Sequence, residues 1–325
     1  MPLHEILHAF SLHPADIETI APVHHPPHWQ CLVTTHIAPD RETALEEEEA
    51  DTSQICVYSD GSGFKGNVGA GAVLYRDRVH KGKARYRLGE ISKHTVYKGE
   101  LAGLCLGAEL LIQQTRLKDV TFYTDNQAGI QAIDSFKPAP GHYLVDLFLK
   151  LIARIHCKYP PCTIKVQWIP GHEGIQSNEV ADDIAKKAAL DGSSHDAILP
   201  TAFRSHKKLP YSKSAFKQHF FADLKSRNTA LFAKSPRCEA LHCIDESAPS
   251  DAFQKLVRDI PRRHASILVQ LHTGHVPLNK FLHCIDCADS PVCPACEGGH
   301  ESVLHFLVTC PAYEPLCRSL HKTLK

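Results

Sequence analysis

The chain has 325 residues, 43 % of them hydrophobic, which is enough for two modest domains and excludes a disordered or fibrous protein. No apolar run approaches the roughly 18 residues of a membrane helix, so no membrane association is expected. The 36 basic and 36 acidic residues cancel, but residues 1–54 carry −9 and residues 201–237 carry +8, an asymmetry that points to a polyanionic partner.

The start, Met1-Pro-Leu-His-Glu5, has neither a basic nor an apolar segment of a secretory signal. The thirteen cysteines are an odd number, and seven of them follow residue 240 among many of the 23 histidines. In a reducing compartment that clustering suggests metal ligation rather than disulfides. The expected location is therefore intracellular, the nucleus included.

Residues 1–53, rich in Pro, His and acid and ending in Leu45-Glu-Glu-Glu-Glu-Ala-Asp51, are expected to form an irregular acidic lead-in. Ile55–Ser59 is a short apolar strand running into a turn at Asp60-Gly-Ser-Gly63. Val68–Tyr75 is a second strand, and about Lys83–Ile91 a third, where Lys81, Lys83, Arg85 and Arg87 alternate with Gly82, Ala84, Tyr86 and Leu88 and share one face. Helices are predicted over Tyr97–Gln114, Gln127–Asp134 and His142–His156. Val120–Thr124 and Thr163–Trp168 are strands, and a last helix covers Ser177–Leu190 with Ser177 as its cap. The order β-β-β-α-β-α-α-β-α over residues 54–192 predicts an α/β domain, a mixed five-stranded sheet with helices on both faces.

Residues 193–283 are expected to be a basic, mostly helical linker region broken near Pro261 and Gly274. Its basic part interleaves cations with Phe203, Tyr211, Phe216, Phe220 and Phe221, a pattern suited to phosphate contact and base stacking.

Four acids of the α/β domain fall where they could converge. Asp60 and Asp125 end strands, while Glu100 and Asp182 lie in the first turns of helices. Singly, each has an ordinary explanation as a turn, cap or dipole partner. As a set they repel one another unless cations neutralise them. Two Mg²⁺ ions, or Mn²⁺ in their place, suit all-oxygen ligands, and a pair about 4 Å apart suits in-line phosphodiester hydrolysis.

Tyr58-Ser-Asp-Gly-Ser62, Tyr97-Lys-Gly-Glu-Leu101, Tyr123-Thr-Asp-Asn-Gln127 and Trp168-Ile-Pro-Gly-His-Glu-Gly174 with Asn178-Glu-Val-Ala-Asp-Asp-Ile-Ala185 resemble, in order, the motifs of the type 1 ribonuclease H domain. The resemblance implies that Asp60, Glu100, Asp125 and Asp182 are the catalytic, metal-binding acids. It makes His172 the mobile-loop histidine that assists water activation or product release, and gives Asp183 no metal role. It implies an endonuclease that cuts the RNA strand of RNA–DNA hybrids by two-metal-ion in-line cleavage. Such an enzyme must sense 2′-hydroxyls. Asn126 and Gln127, beside Asp125, are candidate contacts, and the Lys83, Arg85, Arg87 face is a candidate basic handle.

Farther on, Cys293-Pro-Ala-Cys296, His305 and Cys310 form a C-x2-C-x8-H-x4-C set able to close a tetrahedral site around one zinc ion, with His300 as an alternative to His305. Cys284 and Cys287 form a second C-x2-C pair, read as free or core thiols. With Thr273–Leu282, the set resembles the zinc knuckle at the end of non-LTR retrotransposon polyproteins, here residues 284–325. Pro22-Val-His-His-Pro-Pro-His-Trp29 resembles the stretch joining a reverse transcriptase to its nuclease, although no Tyr-x-Asp-Asp polymerase signature occurs. The expected partners are therefore an RNA–DNA hybrid and a separate reverse transcriptase. The rival expectation is a nucleic-acid-binding retrotransposon relic with an inactive nuclease fold; the intact set of four acids weighs against it.

Overall fold

The five predicted strands form one sheet, and a sixth joins them from the lead-in. A computed structural model of the chain describes residues 7–8, 13–21, 28–135, 137–171, 174–204, 208–236, 238–242, 245–247 and 250–323. Of the stretch from Pro22 to Trp29, residues 22–27 lie outside the described residues. The strands are β1 (Thr34–His36), β2 (Ile55–Phe64), β3 (Asn67–Arg76), β4 (Val79–Glu90), β5 (Asp119–Thr124) and β6 (Thr163–Trp168). They lie in the order β1-β6-β5-β2-β3-β4. Strands β1, β6, β5 and β2 are parallel, whereas β3 and β4 return antiparallel.

The backbone divides into two compact units, residues 1–224 and 225–325. The first holds α1 (Arg41–Glu49), α2 (Val96–Ile112), α3 (Gln127–Ile133), α4 (His142–Lys158), α5 (Gln176–Asp191) and the first half of α6 (Lys213–Ala233). On one face of the sheet, Leu101 and Leu104 of α2, Ile130 of α3 and Leu144 and Phe148 of α4 pack with Val57, Leu74 and Phe122. On the other, Ala181 and Ile184 of α5 meet Tyr58, Val73 and Tyr123. The period-two alternation of β2 and β5 is what sends neighbouring residues to the two cores.

Two expectations inside the α/β domain are corrected. The predicted turn at Asp60-Gly-Ser-Gly63 is continuous strand, and the chain reverses instead at Lys65–Gly66, whose φ values of 46° and 78° suit a two-residue hairpin. Those glycines serve close packing. A Cβ on Gly61 would lie 2.2 Å from the Glu100 nitrogen, so β2 and the start of α2 meet backbone to backbone. Gly71 does the same for α5, where a Cβ would lie 2.5 Å from the Ala181 carbonyl oxygen. The predicted cap Ser177 is already inside α5, which Ile175 precedes without a side-chain cap.

The lead-in is irregular only in part. Strand β1 pairs in parallel with β6, and Asp40 caps α1 by accepting from the Thr43 N–H at 2.8 Å. The acidic run is bonded rather than merely solvated. Glu47 accepts from the buried Gln167 amide at 2.7 Å and lies 2.8 Å from His36 Nε2. Glu48 accepts from the Tyr58 hydroxyl, and Asp51 from the Tyr123 hydroxyl at 2.6 Å.

The expected linker likewise begins as part of this unit. Leu199, Phe203 and Leu209 belong to the larger core, and Phe203 stacks on Tyr86 with ring centroids 4.7 Å apart. Buried Glu18 accepts from the Gly141 N–H at 2.8 Å and the Lys213 N–H at 2.7 Å, fastening this stretch to the domain. Phe203 is thereby committed to the fold rather than to base stacking.

In the second unit the rest of α6 is followed by α7 (Cys238–His242), α8 (Ala252–Val257), α9 (Arg262–Thr273), α10 (Asn279–Cys284) and α11 (Glu314–Thr323). The breaks at Pro261 and Gly274 fall where composition places them, Gly274 closing α9 in the left-handed region at φ 73°. No described helix is long and apolar enough to cross a membrane.

Candidate active site and metal centre

The parallel pairing of β2 with β5, which sets Tyr58 opposite Tyr123, brings Asp60 and Asp125 to neighbouring positions. The backbone contact at Gly61 then fixes Glu100, one turn into α2, beside them. As a result, Asp60, Glu100 and Asp125 each offer a carboxylate oxygen, and these oxygens lie within 4.8 Å of one another. Asp60 is buried, and Glu100 and Asp125 are half-buried. Burial, followed by the charges of Asp125 and Asp182, pushes the Asp60 carboxyl up to about 8, against the pull of the Gly61 N–H. Burial and then the Asp125 charge push Glu100 up to about 7, opposed by the Asn126 amide. Both shifts have the same cause, carboxylates drawn out of water and set close to one another.

Asp182 is close enough for its charge to act on Asp60, but it stands outside the three-acid cluster. One turn along α5, Lys186 reaches it with Nζ 2.5 Å from Oδ2. Asp183 is exposed. His172 lies outside the described residues. Asn126 caps α3, accepting from the Gly129 N–H at 2.9 Å, and Gln127 is exposed beside it. Lys83, Arg85 and Arg87 stand on β4, the sheet's far edge. There Arg85 lies 3.7 Å from Asp191, and Arg87 donates to the Asn67 side chain at 3.1 Å.

Sequence reasoning missed several contributors. The Trp168 indole N–H donates to the Asp125 carbonyl at 3.1 Å, fixing the end of β5. Gly171 lies so close that a Cβ there would be 2.6 Å from Asp125 Oδ2. Arg41 of α1 lines the same depression, of about 440 Å³, as Glu100, Asp125, Asn126, Gln127 and Trp168. The i, i+4 spacing of Asp182 and Lys186 was a visible signal. Arg41, as the one cation in residues 1–54, was another.

In the second unit, Cys293, Cys296, His305 and Cys310 bring their donor atoms within 4.8 Å of one another. Cys293 and Cys310 sulfurs are 3.9 Å apart, close to the roughly 3.8 Å that a tetrahedral ion with Zn–S bonds of about 2.3 Å requires. Cys296 Sγ is 3.2 Å from His305 Nε2. Burial raises the Cys293 thiol, but the Ala295 and Cys296 N–H groups and His305 outweigh it and bring it down to about 7. His300 is exposed and outside this set. Cys284 and Cys287 are exposed, free and also outside it.

The RNase H family model matches residues 52–190. The ribonuclease H of Sodalis glossinidius is 30 % identical over 168 residues, spanning 46 % of this chain and 91 % of the bacterial protein. The chain belongs to the ribonuclease H family. A second ribonuclease H, from an Enterobacter species, is 30 % identical over 162 residues, 45 % of this chain and 95 % of its own. Among solved structures, the RNase H1 of Halobacterium salinarum aligns with a TM-score of 0.33 and 17 % identity over 42 % of this chain and 97 % of that one. The protease–reverse transcriptase of prototype foamy virus aligns with a TM-score of 0.34 and 19 % identity, over 43 % of this chain and 21 % of that one. Strand β1 and helix α1 lie outside the residues matched to the ribonuclease H family.

Proposed function

We propose that this ribonuclease H family member is a type 1 enzyme, an endonuclease that hydrolyses the RNA strand of RNA–DNA hybrids. The observation that carries the reading is the convergence of Asp60, Glu100 and Asp125, from three separate elements, within 4.8 Å. An all-carboxylate donor set with raised pKa values fits hard divalent cations, so Asp60, Glu100, Asp125 and Asp182 would hold two Mg²⁺ or Mn²⁺ ions. When bound, such a pair supplies an activated water and charge stabilisation for the leaving oxygen. The chain's own residues hold this arrangement. Trp168 and Gly171 fix Asp125, and Lys186 holds Asp182 by one carboxylate oxygen. Asn126 and Gln127 line the depression from which 2′-hydroxyls would be read, and the cations of β4 would meet phosphates farther along.

The Cys293, Cys296, His305, Cys310 set would hold one zinc ion as a knuckle, adding nucleic-acid affinity. Together with the nuclease it supports a retrotransposon origin, with the hybrid supplied by a separate reverse transcriptase inside the cell.

The test is incubation of the full chain with labelled RNA–DNA hybrid, duplex DNA and duplex RNA in Mg²⁺, beside Asp125→Asn. Cleavage confined to the RNA of the hybrid and lost in Asp125→Asn is the expected result. Cleavage unaffected by the substitution would overturn the site assignment. Binding without cleavage by either protein would establish the inactive relic.

A further inference from the structure

We infer that Arg41 grips a phosphate of the strand being cut, which makes the β1–α1 segment, outside the family match, part of the substrate site. The inference deepens the hybrid-nuclease reading and rests on it. Three observations converge on this residue. Residues 1–54 carry ten acids and a single cation, Arg41. That cation is exposed at the first position of α1 and lines the depression that also holds Glu100 and Asp125. It is the only basic residue among the described residues of that lining.

Its place is fixed by bonds made elsewhere on the segment. Asp40 caps the helix through the Thr43 N–H at 2.8 Å, Glu47 takes the Gln167 amide at 2.7 Å, and Glu48 takes the Tyr58 hydroxyl. The acids of the lead-in thus orient a helix whose lone cation faces the catalytic depression. A polyanion approaching a cluster of carboxylates is repelled until cations balance them. A planar guanidinium at the rim offers paired N–H donors matched to phosphate oxygens. Of the neighbouring polar groups in that lining, Asn126 and Gln127 carry no charge. Arg41 therefore supplies the charged phosphate contact on this side of the acids.

The experiment compares the full chain with Arg41→Ala and Arg41→Lys. Steady-state cleavage of a hybrid is measured across a range of salt. Anisotropy of a fluorescein-labelled hybrid in Ca²⁺ is measured alongside, and Mg²⁺ affinity is determined by calorimetry. Arg41→Ala should raise KM and the hybrid Kd about tenfold, in line with the loss of one charge-assisted contact, and leave kcat within about twofold. The slope of log affinity against log salt should shrink by about one. Lysine should restore the salt slope while recovering only part of the affinity. Unchanged hybrid affinity and salt slope in Arg41→Ala would overturn the inference. So would a change confined to Mg²⁺ affinity, which would make Arg41 a counter-charge to the acids. Because anisotropy reads binding without turnover, a chain that binds hybrid but never cuts it would refute the enzymatic reading and still judge Arg41.

Discussion

Binding of Mg²⁺ to the acid cluster should expel protons, and the structure sets how many. With burial and mutual repulsion raising Asp60 to about 8 and Glu100 to about 7, the pair in metal-free protein is substantially protonated at pH 7. Metal ligation requires both ionised, so saturation releases on the order of one proton at pH 7 and far less at pH 9. Calorimetric titration in two buffers of different ionisation enthalpy measures this directly. Asp60→Asn should reduce the release at pH 7 to about half a proton or less, because only Glu100 then remains half-protonated. Release below about half a proton by the unsubstituted chain at pH 7, or release that does not decline by pH 9, would refute the reasoning. The same shifts fix a sign for stability. A carboxyl whose folded pKa is raised binds its proton more tightly in the fold than in the unfolded chain. The metal-free fold therefore keeps this contribution in full below about pH 4 and loses it as pH rises towards about 8. The melting temperature without metal should fall across that window, and Mg²⁺ should reverse the fall at the neutral end.

Other substitutions probe the frame around the acids. Gly61→Ala should cost at least about 3 kcal/mol or prevent folding, because its Cβ would lie 2.2 Å from backbone of α2; a urea midpoint near that of the parent would contradict it. Glu47→Ala strips the buried Gln167 amide of its acceptor and should cost about 1–3 kcal/mol by denaturant titration. Lys186→Ala frees Asp182 from its 2.5 Å ion pair and should tighten Mg²⁺ binding a few-fold in calorimetry, with weaker binding as the contrary result. Cys293→Ser should lower bound zinc from one per chain to well below one and render residues 285–323 protease-sensitive; zinc retained at full occupancy would show that the four donors do not hold it.

Local pattern was a good guide where a segment's own periodicity decides its structure. The apolar runs of β5 and β6, the stripe of α4 and the Pro261 and Gly274 breaks were legible because burial or chain stiffness is written into consecutive residues. Asp60-Gly-Ser-Gly63 misled because glycine has two uses. It punctuates turns, but at Gly61 it admits the backbone of α2, a partner some forty residues away. The order in the acidic lead-in was not legible because its acceptors' partners, Tyr58, Tyr123 and Gln167, are distant in sequence. The three clustered acids could be picked out from motif order, whereas their spacing depends on the β2–β5 register and on that glycine contact. Asp182 was singled out by the same motif order, but its engagement with Lys186 is a matter of side-chain geometry.

The added strand bears on how this domain can be trimmed. Cutting at residue 52, where the family match begins, would remove β1 and leave the outer side of β6 with unpaired backbone groups along a Thr-Ile-Lys-Val-Gln-Trp segment. At the other flank, Ser193 and Ser194 bond to the backbone of Arg87 and Arg85 on β4 and cover part of that border. The short extensions before and after the nuclease thus act as selvedges of one cloth. A trimmed domain should self-associate through β6, visible as concentration-dependent light scattering, whereas one retaining residues 1–224 should remain monodisperse.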